Sequence, residues 1–358
     1  MSRLPGVLER TGTDFVRLGL ALVMLGLGTL LAMTLTGPAA TRWGSRRVVT
    51  LGFGLTLGCL VAIALTRSPE VLAVVLFGLG VGGGIWDAGM NMQGYAIQNE
   101  LGKHLMSRFH GWWSLGSMAG AGLALAAVHL SVPLLAQMIV VCVLAAVLCG
   151  PSLASFTQDK PPEPDLARSP APTRRPVRRL AAIGVLIFCG ATVEGAAGDW
   201  LAVFLHQGRG LSQSGAALAY ALFVTAMAAG RLAAERPHRH VGATGVVRAG
   251  ALLAGMSIGI VVLGAPQPWG YVGAVGWGVG ICWVFPAALT AAGDVGTAAT
   301  VAHMTAVGYS ASIFGPLAIG WLAHGAGLGS ALVTLLPLAL VVSLLASVLA
   351  GAAPRSTR

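Results

Sequence analysis

Apolar residues occur in long blocks along this chain, separated by short polar breaks. A helix needs about 20 consecutive apolar residues to cross the hydrocarbon core of a bilayer. On that measure eleven spanning helices are predicted, at about 16–38, 48–66, 70–97, 109–130, 132–151, 180–206, 213–232, 245–264, 268–292, 299–324 and 329–350. Most connections between them are tight. The exception is 152–179, which holds TQDKPPEPDLARSPAPTRRPVRR, and its proline and charge predict a flexible, solvated linker. The fold class expected is therefore an all-α membrane protein of two bundles, 1–151 and 180–350, with a tail at 351–358.

Polar residues inside the blocks change that picture most. The stretch Gly80–Gly116, GVGGGIWDAGMNMQGYAIQNELGKHLMSRFHGWWSLG, sets Asp87, Asn91 and Gln93 among glycines. On a helix, Gly80, Gly84, Asp87, Asn91 and Gly94 share one face, while Gln93 points away from it. A carboxylate and an amide on a glycine-lined face of an apolar helix predict a polar cavity within the membrane. An intramembrane charge costs roughly 2.5–3.5 kcal/mol even on insertion scales, so such residues are usually functional.

Composition agrees with the membrane reading. Hydrophobic residues make up 56% of the 358 and charged residues only 9%, against about 25% in a soluble domain; mean hydropathy is +0.80. The formal charge of +10 would suit nucleic acid, but the arginines lie in short loops, as a topology signal does. Nucleic acid is therefore not an expected partner; the bilayer is. Neither lysine, Lys103 nor Lys160, lies in a phosphate-binding loop, so an ATP-driven engine is not expected. The cysteines (Cys59, Cys142, Cys149, Cys189, Cys282) read as small buried hydrophobes, and no metal site or cofactor is predicted. No cleavable signal peptide is visible in MSRLPGVLERTGTD.

One set of alternate loops holds Arg42, Arg46, Arg47, Lys103, Arg108, the linker arginines, Arg231, Arg236, Arg239, Arg355 and Arg358; the other holds only Arg3, Arg10, Arg17, Arg67 and Arg209. The positive-inside rule then predicts a cytoplasmic linker and C-terminus and an outside Met1. GPAATR at 37–42 resembles GRLAAER at 230–236, each closing a span and each followed by further basic residues. Aligned on these anchors, the second half has a whole helix, about 180–206, with no counterpart in the first. Six helices plus six in a parallel repeat, with the first helix absent from this sequence, is the expected architecture.

Two bundles joined by a basic linker, with an arginine-rich turn after the second helix of each half, resemble the major facilitator superfamily. GPAATRWGSRR (37–47) is similar to that family's loop G-x-x-x-D-R-x-G-R-[RK], with Gly37, Arg42, Gly44, Arg46 and Arg47 as its gating residues and Thr41 in place of the acid. GIWDAGMNMQG followed by FHGWWSLGSMAGAG looks like a bacterial inner-membrane branch near fucose-permease-type sugar transporters. The resemblance implies secondary transport by alternating access, with 70–97, 180–206 and 268–292 lining the cavity as helices 4, 7 and 10.

Asp87 heads the candidates for the proton or solute pathway; a structural acid bonded to His110 or Ser114 is the plainer alternative. Asn91 can pair with hydroxyls. Glu194 lies near the middle of its span, and Asp199 nearer the end beside Trp200, where an acid–aromatic pair is unremarkable. Trp113 and Trp283 suit stacking on a solute or packing at the membrane boundary, and His110 suits a proton relay or a cap. Pro286 and nearby glycines predict a bending element in the 268–292 helix. The expected function is a proton-coupled secondary transporter of a sugar-like, metabolite or drug-like solute, acting as a monomer in the bacterial inner membrane and not as an enzyme. A non-transporting sensor or scaffold is the alternative, because the expected first helix would line the cavity.

Overall fold

In the computed structural model the described residues are 2–101, 106–154, 156, 177–233, 235–264, 267–295 and 298–350. Most of the predicted linker, the tail 351–358 and Lys103 lie outside them. The apolar blocks become helices because only helices satisfy every backbone polar group locally in hydrocarbon. They are α2 (Phe15–Trp43), α3 (Ser45–Leu65), α4 (Pro69–Leu101), α5 (Met106–His129) and α6 (Leu134–Ala154), preceded by a short α1 (Leu4–Thr11). Further along the chain come α7 (Val177–Val203), continued by a π-helical turn Phe204–Gly208, then α8 (Gln213–Leu232), α9 (Glu235–Leu263), α10 (Trp269–Ile281), α11 (Val284–Val295), α12 (Ala298–Val333) and α13 (Leu335–Leu345).

Among the described residues, nine helical stretches are long and apolar enough to span, and Leu115–His129 is a shorter apolar helix. One of the nine, His303–Leu349, folds back at Gly327, whose φ of +81° suits glycine. Counted at that bend, the spans match the eleven predicted.

The two halves repeat one packing scheme. In the first, α4 packs on α2 and α3, and α6 on α3; in the second, α10 packs on α8 and α9, and α13 on α9. Each half also turns at a positive-φ glycine, Gly44 at +83° between α2 and α3 and Gly242 at +67° at the kink in α9. The turn of 37–47 is shorter than predicted: α2 runs on through Pro38 to Trp43, so Gly37 is helical and Gly44 alone makes the corner.

The halves meet through α2 against α12 and α5 against α8. A Cβ on Gly19 would lie 2.7 Å from the Pro316 carbonyl oxygen, and one on Gly320 2.5 Å from that of Phe15, so these backbones touch. Leu8, Leu18 and Leu22 join the large buried cluster of the second half, and Phe15 stacks edge-on to Trp200. Helix α1 crosses this end of the molecule. Arg3 donates to the Val132 carbonyl, Arg10 to those of Ile63 and Thr66, and Glu9 bonds to His206 and Gln213. Burial, and for Arg3 the neighbouring Arg10, lowers the pKa of both arginines from the usual guanidinium value. The α1 end is thus where the halves close on each other.

Candidate functional site

The centre of the site is an ion pair. Nη2 of Arg231 donates to Oε1 of Glu194 at 2.8 Å, joining the last turn of α8 to the middle of the α7 span. Both side chains keep about a quarter of their surface exposed, 25% and 27%, so the pair is open to water or a solute on one side. Glu194 stands roughly 20 Å along its helix from the α7–α8 turn, at a rise of 1.5 Å per residue. An acid at that depth needs a partner, and Arg231 supplies it.

Three further bonds tie the pair to α10 and α11. Nε of Arg231 donates to the Cys282 carbonyl at 3.2 Å, and the indole N–H of Trp283 donates to the Gly230 carbonyl at 2.8 Å. The indole N–H of Trp277, fully buried, reaches the Val193 carbonyl at 3.2 Å, one residue before Glu194. Gly230 permits this approach, because a Cβ there would lie 2.6 Å from Sγ of Cys282. Glu194 and Trp283 are therefore brought into one cluster.

Asp87 and Asn91 form a separate pair on α4. Nδ2 of Asn91 donates to the Asp87 carbonyl at 3.0 Å and to its carboxylate at 3.3 Å, the i,i+4 geometry the spacing predicts. Both are half-buried. Gln93 points elsewhere, as expected: its Nε2 donates to Oγ of buried Ser45 at 2.7 Å, holding α4 to the start of α3.

Two expectations need correction. The glycine face of α4 does not line a cavity along its whole length. A Cβ on Gly80 would collide with the Leu25 carbonyl, and one on Gly84 would lie 2.8 Å from Cβ of Ala32. These glycines let α2 and α4 pack backbone to backbone, which leaves Asp87 and Asn91 as the polar end of a packing face. Arg231 is likewise not a loop residue with the other basic groups, since its guanidinium reaches back into the span. The signal was present: Arg231 falls inside the predicted block 213–232, and an arginine within a span faces an acid or a carbonyl.

Asp199 is half-buried with no hydrogen-bond partner among the described residues. The neighbouring Trp200 is fully buried, and its indole N–H lacks an acceptor among the described residues. Trp113 is 55% exposed. The side chains of His110, Ser114 and Arg108 lie outside the described residues. Arg42, Arg46 and Arg47 are exposed around Gly44.

Known proteins agree with this architecture. The sequence model of the Major Facilitator Superfamily matches residues 3–311. An uncharacterized MFS-type transporter of Yersinia pestis is 33% identical over 325 residues, covering 89% of this chain and 83% of that protein. An uncharacterized transporter of Sinorhizobium fredii is 31% identical over 330 residues, covering 91% of this chain and 86% of the relative. Among solved structures, nucleoside transporter NupG superimposes with a TM-score of 0.72 at 15% identity, over 97% of this chain and 94% of its own. The human organic anion transporter MFSD10 (TETRAN) does so with a TM-score of 0.66 at 18% identity, over 92% and 83%. At those identities the structural likeness carries the fold and not the solute. The chain belongs to the Major Facilitator Superfamily, and by that membership it is a multi-pass secondary transporter of small solutes.

Proposed function

We propose that this transporter couples solute movement to protons, with Glu194 as the acid that loads and releases them. The observation that carries the reading is the Glu194–Arg231 pair: a carboxylate at bilayer depth, compensated by a single guanidinium and still partly open. A proton or a polar solute can compete for either partner. The two halves, divided at the 152–179 linker, would rock about a region holding Asp87, Asn91, Glu194 and Trp283, with Asp199, His110 and Trp113 as secondary pathway positions. The basic turn Gly37, Arg42, Gly44, Arg46 and Arg47 would gate one face.

The excess of arginine at the linker end supports a cytoplasmic linker and C-terminus in a bacterial inner membrane. The α1 end then faces outward. The chain would act as a monomer, since both halves of the rocking pair lie within it.

The test uses proteoliposomes loaded with a pH-sensitive dye. A panel of monosaccharides, nucleosides and small organic anions is first ranked by the rise each causes in the unfolding midpoint. The top solute should drive proton flux in the parent protein and none in Glu194→Gln at equal abundance. Normal proton-linked uptake by Glu194→Gln would sink the assignment.

A further inference from the structure

The helix broken between α10 and α11 carries a coupling device in its backbone. In an α-helix the carbonyl of residue 282 accepts from the N–H of residue 286, four positions on. Residue 286 is Pro286, which has no N–H, so the Cys282 carbonyl has no helical donor. A carbonyl left free in hydrocarbon must find another partner. It finds Nε of Arg231, at 3.2 Å. The same guanidinium holds Glu194 through Nη2 at 2.8 Å. One planar group thus serves a carboxylate on α7 and the freed carbonyl of a bent helix, at the fixed angle that the guanidinium fork sets.

We propose that Arg231 ties the charge of Glu194 to the bend between α10 and α11 by donating to the backbone carbonyl that Pro286 leaves without a helical partner. While Glu194 is charged, Arg231 is held between the two acceptors and α11 is fixed against α8. When a proton or a bound solute neutralises Glu194, the guanidinium loses its strong partner and turns toward water on its open side. The Cys282 carbonyl is then released, and α11 is free to swing about the Cys282–Trp283 junction. Arg231 is a positioning residue in this scheme: it transmits the state of the acid and does not carry the proton. Other titratable or charged side chains on elements packed against α7 include Glu9 and Arg10 on α1, His206 on the π-helical turn, Tyr220 on α8, Tyr271 on α10, Asp294 on α11, and His303, Tyr309 and His324 on α12. The scheme rests on Glu194 being the acid that changes state, and its test is separable from transport.

Cys282 is a built-in reporter. It lies at the junction, its side chain is fully buried, and Sγ donates to the Val279 carbonyl at 3.1 Å. With Cys59, Cys142, Cys149 and Cys189 replaced by alanine, the rate of maleimide alkylation of Cys282 in the full-length protein reads the opening of the junction. Glu194→Gln, which fixes the neutral form, should be alkylated about tenfold faster than the parent. Arg231→Lys, which keeps the charge but not the fork, should be faster as well. Pro286→Ala restores the missing N–H, so the double variant Glu194→Gln, Pro286→Ala should return to the parental rate.

A Glu194→Gln rate within about twofold of the parent, or a double variant as fast as Glu194→Gln, overturns the proposal. Should Arg231→Lys fail to fold, the Glu194→Gln and Pro286→Ala pair decides alone. Lost proton coupling with an unmoved Cys282 would remove this device and leave the proton reading intact. Retained coupling with a responsive Cys282 would do the reverse.

Discussion

Glu9 and His206 share a hydrogen bond of 2.7 Å that links α1, which opens the first half, to the π-helical turn ending α7 in the second. Gln213 donates to the other Glu9 oxygen at 2.9 Å, and the second ring nitrogen of His206 donates to the Leu211 carbonyl at 2.6 Å. The carboxylate is therefore the shared acceptor of a small latch across the closed end.

Glu9 is 49% exposed in its side chain, so the pair contributes little to global stability, on the order of 0–1 kcal/mol. Glu9→Ala is expected to leave the unfolding midpoint nearly unchanged while shifting the balance between open and closed α1 ends. The check is alkylation of a cysteine placed at Ser214, beside the latch, which should quicken several-fold. An unchanged rate would show that the backbone contacts of α2 with α12 hold this end unaided.

The α2–α4 contact should be the least tolerant surface of the molecule. A Cβ on Gly80 has no room against the Leu25 carbonyl, whereas one on Gly83 meets nothing within 4 Å. Gly80→Ala should lower stability by about 1–3 kcal/mol, as overpacking does, and Gly83→Ala should be neutral. Thermal unfolding in detergent compares them directly, and equal midpoints would count against the packing described.

A second glycine pair separates strain from helix propensity. Gly44 has φ +83° and ψ +139°, a backbone few other residues adopt, while Gly37 is helical with open space about it. Gly44→Ala should cost on the order of 1–3 kcal/mol. Gly37→Ala should stabilise by about 0.5–1 kcal/mol. Opposite signs in the two unfolding midpoints are the expected result.

Gln93 and Ser45 are both buried and bond to each other at 2.7 Å. Removing one takes this buried hydrogen bond from the other, at roughly 0.5–1.5 kcal/mol. Gln93→Leu and Ser45→Ala should therefore each destabilise, and the double variant by less than their sum. Strict additivity in that cycle would show that the two side chains do not depend on each other.

The sequence alone determined the spans and the family. Transfer into hydrocarbon adds up residue by residue along the chain, so it can be read without knowing any neighbour. The Asp87–Asn91 pair was legible for a related reason: both residues sit on one helix, and their i,i+4 spacing fixes the contact. Gln93 was legible only as pointing away, because its partner Ser45 lies on another helix. What the tertiary structure decided was every relation between helices. Gly80 and Gly84 were readable as one face, but their opposite number is Leu25, Thr29 and Ala32 of α2 and not a cavity. Arg231 was readable as basic, but its reach to Glu194 and Cys282 depends on the depth and rotation of α8 against α7 and the bent α10–α11 helix. Those are set by side-chain packing summed over whole helix faces, a quantity that no local stretch of sequence contains.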